Sequence, residues 1–550
     1  MCGVFASTND LRSAKLDLLN HRGPDESYFE NISGLRVKFF RLSITGVLEG
    51  SHPITSPDGR WSVFINGEIY NYQQLITSHG LARTASDVRV IALGLEKEGL
   101  SFIRHLRGMF AGLIVDRFEN RTYLLRDFFG EKPLYYSFLN GNFTVASEFK
   151  ALLSSLDRSL ILDKVAMASF ARFGYIEEPW TPDVYIKNVP KGALCEIDTS
   201  GIRVVLEIPA SESNEGDLKS TLDLVLSETM HLEVSGGLAL SGGLDSSEIS
   251  KRAHFERKDF KSYIFNYGRS PFSGEALAAY KNSIKNKLPF RVVSFETQNL
   301  DKQLIEIASI NDVPHSDLSG LGYLAILRAM KKDTRKVAFF GHGPDEFFWG
   351  YEWFNRLVDS SSIKAPGKVH LFWDTPAQSS YLLSNVSAEI QHHFSTNRTL
   401  NSSDLFLRQG DKWQRARAEI SHSYLSANGH RQLDRLAMSM GIEPRTPFTD
   451  SRIYSWAQHA AFSPTSDLEK KSFRLALQNR RQASKTYRKR GFNTNISTIL
   501  ENSNFDDFFS TGIEIINSHN FFEKSLQFDS LTLEDKYRCA MLGYWLISLS

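Results

Sequence analysis

The sequence predicts a two-domain α/β protein, with a β-rich amino-terminal domain and a carboxyl-terminal domain built on a doubly wound parallel sheet. The chain has 550 residues, more than one typical domain holds. Up to about residue 205, short apolar runs alternate with turns, whereas beyond about residue 217 predicted strands alternate with predicted helices. The polar stretch PASESNEGD at 209–217 is typical of a linker. We therefore expect domains over 1–208 and 209–550.

The amino-terminal strands are predicted from runs rich in β-branched and aromatic residues. These runs are GLRVKFFRLSI, WSVFINGEIYN, GMFAGLIVD, TYLLRD, PLYYSF and NFTVASE. One helix is predicted over 87–99, where apolar residues recur at helical spacing.

The carboxyl-terminal region repeats a strand followed by a helix. The pairs are GLALS with SSEISKRAHFE, KSYIFNY with GEALAAYKNSIKNK, PFRVVSF with a helix from about 300, and KVAFF with DEFFWGYEWF. Such repeats predict a parallel sheet with helices on both faces, and ligands bind beyond the carboxyl ends of its strands. The Ser- and Asn-rich pieces within 355–430 are interpreted as loops among helices.

Composition excludes several function classes. The formal net charge of +1 gives no electrostatic argument for a nucleic-acid partner, and the basic run at 485–492 is interpreted as a solvated helix end. Because no apolar run could span a membrane and the first residues lack a signal-peptide pattern, we expect a cytoplasmic protein without membrane insertion. Cys2, Cys195 and Cys539 form no disulfide framework and show no metal-ligand spacing.

The second residue is a cysteine, small enough for the initiator methionine to be removed. Cys2 would then carry a thiol and a free α-amine on one carbon. An α-amine with a pKa of about 7.7–8.0 can take the thiol proton and later deliver it to a leaving amine. Cys2 is thus a candidate amino-terminal nucleophile, the alternative being a small buried residue at the start of a strand.

Polar clusters that a packed sheet does not require accompany this cysteine. They are HRGPDES at 21–27, RLSI at 41–44, NGEIYN at 66–71 and Ser86 with Asp87. Together with Cys2, RDFFGEKPLYY and ASEFKAL, they resemble the class II glutaminase domain of amidotransferases, in particular that of asparagine synthetases. The resemblance covers most of residues 1–190 and implies an αββα sandwich of the amino-terminal nucleophile (Ntn) hydrolase type.

The resemblance also implies the chemistry. Cys2 would attack the side-chain amide of glutamine and form a thioester with release of ammonia. Asn66 through its side chain and Gly67 through its backbone N–H would donate to the tetrahedral oxyanion.

Three charged residues are expected to hold glutamine. Arg41 suits the α-carboxylate by bidentate hydrogen bonding, while Asp87 and Glu68 suit the α-ammonium and neighbouring donors. Individually, Arg41 could instead form a surface ion pair, and Asn66 with Gly67 could form a hairpin turn.

A second site follows the apolar strand GLAL. The segment SGGLDSS at 241–247 leads at once into a helix, so its glycines permit a tight turn and the helix amino terminus adds partial positive charge. It is neither a Walker loop nor a dinucleotide fingerprint, and it resembles the pyrophosphate loop of ATP pyrophosphatases. The residues expected to bind ATP and pyrophosphate are Ser241, Gly242, Gly243, Leu244, Asp245, Ser246, Ser247, Gly341 and Lys470.

The segment FGHGPDEFFWGY at 340–351 resembles a second loop of asparagine synthetases, GEGSDEVFGGY. Asp245 and Asp345 would lie at strand carboxyl ends, where two oxygen ligands could hold Mg²⁺ on the triphosphate. Further matches, at 434–450, 467–474 and 488–492, imply that Lys470 neutralises the leaving pyrophosphate. Those matches also give a site-shaping role to Asp434, Glu443 and Arg445.

One position departs from the family pattern. His342 stands where that second loop carries its first acidic residue, which is thought to assist attack of ammonia on the aspartyl adenylate. A neutral imidazole can also accept the ammonium proton, with activity shifted toward a pKa of about 6.5. The segment 310–323, with Pro314 and His315, departs as well, so the acceptor pocket is open.

Three interpretations remain. The first is a glutamine-hydrolysing asparagine synthetase acting on L-aspartate. The second is the same machinery acting on another carboxylate, such as a uronic acid or a biosynthetic intermediate. The third is an amide-forming cyclase, against which the intact glutaminase residues argue. The expected ligands are ATP, Mg²⁺ and small molecules, and the resemblance implies two facing sites joined by an ammonia tunnel, with a homodimer common among relatives.

Overall fold

The computed structural model describes residues 2–9, 15–46, 50, 53–210, 217–256, 259–266, 275–294, 299–351, 354–355, 358, 410–460, 470–477, 505–519 and 525–549. Two antiparallel sheets of six strands each form its amino-terminal region. The strands of this region are β1 Cys2–Ser7, β2 Glu26–Ile32, β3 Leu35–Arg41, β4 Ile54–Thr55, β5 Trp61–Ile69, β6 Gly108–Asp116, β7 Arg121–Arg126, β8 Tyr135–Leu139, β9 Asn142–Ala146, β10 Ile186–Asn188, β11 Ala193–Asp198 and β12 Gly201–Glu207. The strand orders are β10-β8-β9-β1-β3-β2 and β12-β11-β7-β6-β5-β4.

The two sheets pack face to face because their inward residues are apolar. Val4 and Phe39 of the first sheet meet Phe64 and Leu124 of the second in one buried cluster. The helices α1 Tyr72–Ser78, α2 Arg89–Glu98, α3 Phe149–Ser155 and α4 Lys164–Phe173 cover the outer faces, with α1 and α2 on the second sheet and α3 and α4 on the first. The predicted αββα layering is confirmed.

A five-stranded parallel sheet forms the centre of the carboxyl-terminal region. Its strands are β13 Gly236–Leu240, β14 Phe260–Asn266, β15 Phe290–Ser294, β16 Val337–Phe339 and β17 Glu443–Arg445. Side chains alternate between the two faces, as a strand requires: Val337 and Phe339 join one buried cluster, and Ala338 and Phe340 the other. The predicted parallel sheet is confirmed.

Helices cover both faces of this sheet. They are α5 Leu218–Thr229, α6 Leu244–Glu256, α7 Glu275–Lys285, α8 Leu300–Ile310, α9 Ser319–Lys332, α10 Pro344–Phe347, α11 Lys412–Ile420, α12 Arg431–Met438, α13 Ser451–His459, α14 Lys471–Leu477, α15 Asp506–Ser518 and α16 Leu533–Ile547. A π-helix over Ser421–His430 joins α11 to α12. Such helices are rare and occur frequently at functional sites.

The strand order β15-β14-β13-β16-β17 reverses direction between β13 and β16, which are neighbours in the sheet. In open α/β sheets this reversal opens a crevice at the carboxyl ends of the strands, and ligands bind there. The segments SGGLDSS and FGHGPDE directly follow these two strands. The topology therefore brings the two predicted loops to one place.

Several predictions need correction or lie outside the described residues. The Asn66–Gly67 pair lies within β5, not in a hairpin turn. The helix predicted over DEFFWGYEWF ends at Phe347, and Trp349 takes a left-handed backbone with φ 60°. The Ser- and Asn-rich pieces between 359 and 409 and the basic run at 485–492 lie outside the described residues, and the domain boundary at 208/209 stays a prediction.

Candidate active sites

Cys2 is the first residue of β1 and is buried between the sheets. Its backbone nitrogen donates to Asn66 Oδ1 at 2.9 Å. Burial raises the pKa of the Cys2 thiol, opposed by a backbone hydrogen bond from Leu42 and by the nearby Arg41. The thiol is therefore neutral near pH 7, and reaction at this sulfur requires a neighbouring base.

Asn66 and Gly67 lie in β5, beside the nucleophile. Asn66 is fully buried, and its Nδ2 has no hydrogen-bond partner among the described residues. Gly67 has a φ of 142°, and a Cβ there would lie 2.0 Å from the carbonyl oxygen of Met109. An unpaired amide donor is costly to bury, so Asn66 retains the capacity to bind an incoming oxyanion.

Arg41 is buried, and it forms an ion pair with the exposed Glu26. It stands opposite Cys2 in the β1–β3 register. Its Nη2 donates to the carbonyl of Gly46 at 3.0 Å, and its Nη1 donates to both carboxylate oxygens of Glu26 at 3.2 and 3.3 Å. The guanidinium is thus fixed next to the nucleophile.

Two buried carboxylates accompany these residues. Asp87 Oδ2 accepts from the backbone nitrogen of Ile69 at 2.8 Å, and burial raises the pKa of Asp87 to about 6. Glu68 accepts from Thr45 Oγ1 and lies 2.9 Å from Arg445 Nη2. Burial raises the pKa of Glu68 well above its usual range, with Arg445 opposing the shift. Glu68 therefore joins the carboxyl-terminal region to the site around Cys2.

The pyrophosphate loop begins directly after β13, and α6 begins at Leu244. Ser241 Oγ lies 3.2 Å from Ser246 Oγ, and Ser247 Oγ donates to the carbonyl of Gly243 at 2.6 Å. Gly242 has a φ of 78°, and a Cβ there would lie 2.4 Å from the carbonyl oxygen of Glu275. These contacts hold a tight turn at a helix amino terminus, where phosphate groups bind readily.

Asp245, Asp345 and Lys470 form a buried cluster at the sheet reversal. Lys470 Nζ lies 2.6 Å from Asp245 Oδ2 and 2.8 Å from Asp345 Oδ1. A Cβ at Gly341 would lie 3.0 Å from Asp245 Cβ, and one at Gly350 would lie 2.0 Å from Asp345 Oδ1, so both glycines permit close approach. The fold therefore brings these three charged residues together, and their role in binding ATP stays a prediction.

The oxygen atoms of this cluster fit Mg²⁺. Asp245 Oδ1 is buried without a hydrogen-bond partner among the described residues, so it can accept a hard cation. The described residues contain no group of three or more His, Cys, Asp or Glu side chains that could hold a metal ion by themselves. Two carboxylates fit a magnesium ion that takes its remaining ligands from phosphate and water.

His342 lies in the loop after β16, next to Gly341. Its Nε2 is 2.9 Å from the hydroxyl oxygen of Tyr323 on α9, and its ring lies 6.3 Å from that of His430 at the end of the π-helix. Burial and the neighbouring His342 lower the pKa of His430 well below its usual value. This burial favours the neutral form of the His430 ring.

His315, noted in the sequence for its departure from the family pattern, lies against the π-helix. Its Nε2 is 3.2 Å from the carbonyl oxygen of Asn428, and its Nδ1 accepts from the backbone nitrogen of Asp317. Burial lowers the pKa of His315 to about 4. Sequence reasoning missed Tyr323 and His430 as neighbours of His342, because their link to its loop exists only through the fold.

Comparison with known families follows the same division of the chain. A model described as "Glutamine amidotransferase domain" matches residues 1–206, and one described as "Asparagine synthase" matches residues 217–514. The chain belongs to the asparagine synthase family. This confirms the predicted family and its enzyme class, the glutamine-dependent carbon–nitrogen ligases, in which ATP is a substrate.

Individual members of the asparagine synthase family are moderately similar to this chain in sequence. Asparagine synthetase [glutamine-hydrolyzing] 2 of Bacillus subtilis is 27% identical over 529 residues, covering 86% of this chain and 67% of that protein. Asparagine synthetase [glutamine-hydrolyzing] 1 of the same organism is 30% identical, covering 63% of this chain and 56% of that protein. The amidase chyE of Penicillium rubens is 27% identical, covering 64% and 60%.

Among solved structures, the glutamine phosphoribosylpyrophosphate amidotransferase of B. subtilis complexed with ADP and GMP aligns with a TM-score of 0.27 at 14% identity, covering 73% of this chain and 94% of that chain. This similarity is too low to bear on function. No helix of the described residues is long and apolar enough to cross a membrane.

Proposed function

We propose that this protein uses glutamine and ATP to convert an acceptor carboxylate, L-aspartate in the first instance, into its amide. The observation that carries the proposal is the presence of two built centres in one chain. One is Cys2 beside the unpaired Asn66 amide, and the other is the cluster of Asp245, Asp345 and Lys470 at the sheet reversal.

The first half-reaction begins at Cys2 once Met1 has been removed. The α-amine, at the position where the Cys2 nitrogen contacts Asn66 Oδ1, takes the thiol proton, and the sulfur attacks the amide carbon of glutamine. Asn66 Nδ2 and the Gly67 N–H donate to the oxyanion. Collapse of this intermediate forms the thioester and expels ammonia with the returned proton, and water then releases glutamate.

Arg41, Asp87 and Glu68 orient glutamine in that step. Arg41 pairs with the α-carboxylate, and the exposed Glu26 is the partner that it exchanges for substrate. Asp87, ionised above its pKa of about 6, and Glu68 bind the α-ammonium.

The second half-reaction takes place at the strand ends. Backbone and hydroxyl groups of residues 241–247, with Gly341, hold the triphosphate, and the acceptor carboxylate attacks the α-phosphorus with release of pyrophosphate. Asp245 and Asp345 would hold Mg²⁺, which supplies charge neutralisation on the triphosphate when bound. Lys470 leaves its carboxylate partners to neutralise the departing pyrophosphate.

His342 completes the reaction as a base. Ammonia attacks the acyl carbon of the adenylate, the neutral imidazole takes the excess proton from nitrogen, and AMP leaves. His342 directly follows Gly341, where a Cβ would lie 3.0 Å from Asp245 Cβ. This closeness supports the role because it puts His342 next to the ATP loop.

A specific observation also favours a second acceptor class. His342 occupies a position where the family pattern carries an acidic residue, and its ring lies 6.3 Å from that of the buried His430. This loop therefore carries less negative charge, which suits a small carboxylate other than aspartate, such as a uronic acid. The cyclase interpretation is disfavoured because a cyclase needs no ammonia and this chain retains every glutaminase residue. A cytoplasmic location and a homodimer are parts of the proposal that rest on the family.

The deciding experiment supplies purified protein with Mg-ATP and glutamine, with L-aspartate present or absent, and measures AMP, pyrophosphate, glutamate and asparagine. If all four products form in equal amounts, and only when aspartate is present, the result supports an asparagine synthetase. Glutamate without aspartate-dependent AMP excludes aspartate and leads to a series of uronic acids under the same assay. Absence of glutamate in every condition contradicts the proposal.

A further inference from the structure

Arg22 connects the nucleophile to the carboxyl-terminal region. It belongs to the HRGPDES motif at 21–27, and the resemblance to the glutaminase domain implies no role for this residue. Its side chain is fully buried. Nε donates to the main-chain carbonyl of Cys2 at 3.1 Å, Nη1 to Glu148 Oε1 at 3.0 Å, and Nη2 to Asp434 Oδ2 at 2.9 Å.

Asp434 belongs to α12, which directly follows the π-helix beside His342. Its second oxygen, Oδ1, accepts from Lys132 Nζ at 3.4 Å. Glu148 also receives Arg435, the residue after Asp434. Burial alone would lower the pKa of Arg22, and the carboxylates of Asp434 and Glu148 outweigh it, so the guanidinium stays charged.

An amino-terminal nucleophile has a particular need for such a contact. With Met1 removed, Cys2 is held by the chain on one side only, so its orientation depends on strand pairing and on contacts of its nitrogen and carbonyl. Arg22 supplies the carbonyl contact, and its guanidinium group is held at the other end by Asp434 of α12. A small displacement of this guanidinium would turn the sulfur and the α-amine of Cys2 together.

We infer that Arg22 and Asp434 are positioning residues for Cys2, through which the carboxyl-terminal region sets the rate of glutamine hydrolysis. This inference rests on the proposed function of Cys2. It predicts that a substitution on a helix of the synthetase region alters the chemistry at a sulfur in the glutaminase region. It also predicts that the two residues act as one unit.

The test is Asp434→Asn in the full-length protein, with glutamate formation as the readout and active-site titration by an alkylating glutamine analogue to count competent sites. We expect kcat per titrated site to fall about tenfold or more, as misplacement of a reacting group does, while KM for glutamine stays within about twofold. Asp434→Glu should recover part of the loss. Arg22→Gln should resemble Asp434→Asn, and the double variant should lose no more than either alone.

Lys336→Met is the matched control, because the Lys336 Nζ–Asp25 Oδ2 ion pair of 2.8 Å also joins the two regions but does not contact Cys2. It should leave kcat unchanged. An unchanged kcat per titrated site in Asp434→Asn, or multiplicative losses in the double variant, overturns the inference alone. A wild-type protein that forms no glutamate overturns the proposed function and the inference with it.

Discussion

The two candidate sites of this protein are built in different ways. The glutaminase site lies on strands: Cys2 on β1, Arg41 on β3, and Asn66 and Gly67 on β5. The ATP site lies on loops and helix starts after β13 and β16, and Lys470 reaches it from a distant part of the chain. Backbone pairing fixes the strand residues, on both sides for Arg41 and on one side for Cys2, Asn66 and Gly67. Loop residues depend instead on the contacts of their side chains.

This difference bears on how each site changes during a reaction. The strand site is already formed without substrate, since the Asn66 donor is buried and unpaired in advance. The loop site instead holds Lys470 between two carboxylates, and this ion pair must rearrange when the triphosphate and a cation arrive. A substitution at one site should therefore impair one half-reaction and leave the other intact. The largest expected effect is that of Cys2.

Cys2→Ala should abolish glutamine-dependent amide formation, because no other nucleophile is placed at Asn66. Synthesis from ammonium salts should continue at a rate within about twofold of wild type, since exogenous ammonia bypasses the thioester step. The measurement is product formation with each nitrogen source, together with intact mass to establish removal of Met1. Loss of both activities would show that Cys2 is structural.

Asp245→Asn should remove ATP-dependent chemistry while glutamine hydrolysis remains. The change keeps the shape of the side chain but takes away a carboxylate that pairs with Lys470 and whose second oxygen is free for a cation. We expect a decrease of about 10³-fold in AMP formation, comparable to the loss of a charged transition-state contact. Normal AMP yield in this variant would contradict the metal and phosphate assignment. Asp333→Asn, at a half-buried ion pair with Lys261, is a suitable control.

Asn66→Ala should lower kcat of glutamine hydrolysis by about 10²- to 10³-fold, the cost of losing one oxyanion donor. KM for glutamine should change little, because the donor acts on the transition state. A comparable loss in ammonia-dependent synthesis would indicate misfolding instead, which a thermal unfolding curve would detect.

His342→Ala should reduce amide formation by about 100-fold while adenylate formation, followed by pyrophosphate release, changes less. His342→Glu would restore the acidic residue of the family pattern and should recover amidation with a lower pH optimum. If adenylation and amidation decrease equally, His342 acts in ATP binding and not as the base.

The strand site and the loop site also differ in how much of each could be predicted from the sequence. The residues proposed for the strand site could all be named from the sequence, because they stand in short motifs at fixed strand positions. The loop after β13 could be named from its two glycines before a helix. The roles of both sets stay predictions. The π-helix, the Tyr323–His342 contact and the Arg22–Asp434 ion pair could not be predicted, because each joins residues far apart in the chain through packing. Glu68 illustrates the limit: its motif indicated a glutamine contact, but its ion pair with Arg445 depends on how the two regions pack together.

The smallest expected effect concerns pH and distinguishes the strand site from the loop site. Burial raises the pKa of Asp87 to about 6, so Asp87 becomes neutral below that pH and loses the charge that binds the α-ammonium. In Cys2→Ala, which binds without reacting, Kd for glutamine should therefore increase up to about tenfold for each pH unit below 6. Calorimetric titration between pH 5 and 8 measures this, with Asp87→Asn as the control.

The raised pKa of Asp87 also lowers the free energy of unfolding as the pH increases. Because the folded protein binds the Asp87 proton more tightly than the unfolded chain, this residue makes folding less favourable as pH increases from 3.8 to about 6. Asp87→Asn should remove that contribution to stability and should also weaken glutamine binding. ATP binding at the loops should not change in this variant. A Kd for glutamine that does not vary with pH would exclude Asp87 from the ammonium contact and leave Glu68, already paired with Arg445, as the carboxylate that remains for that role.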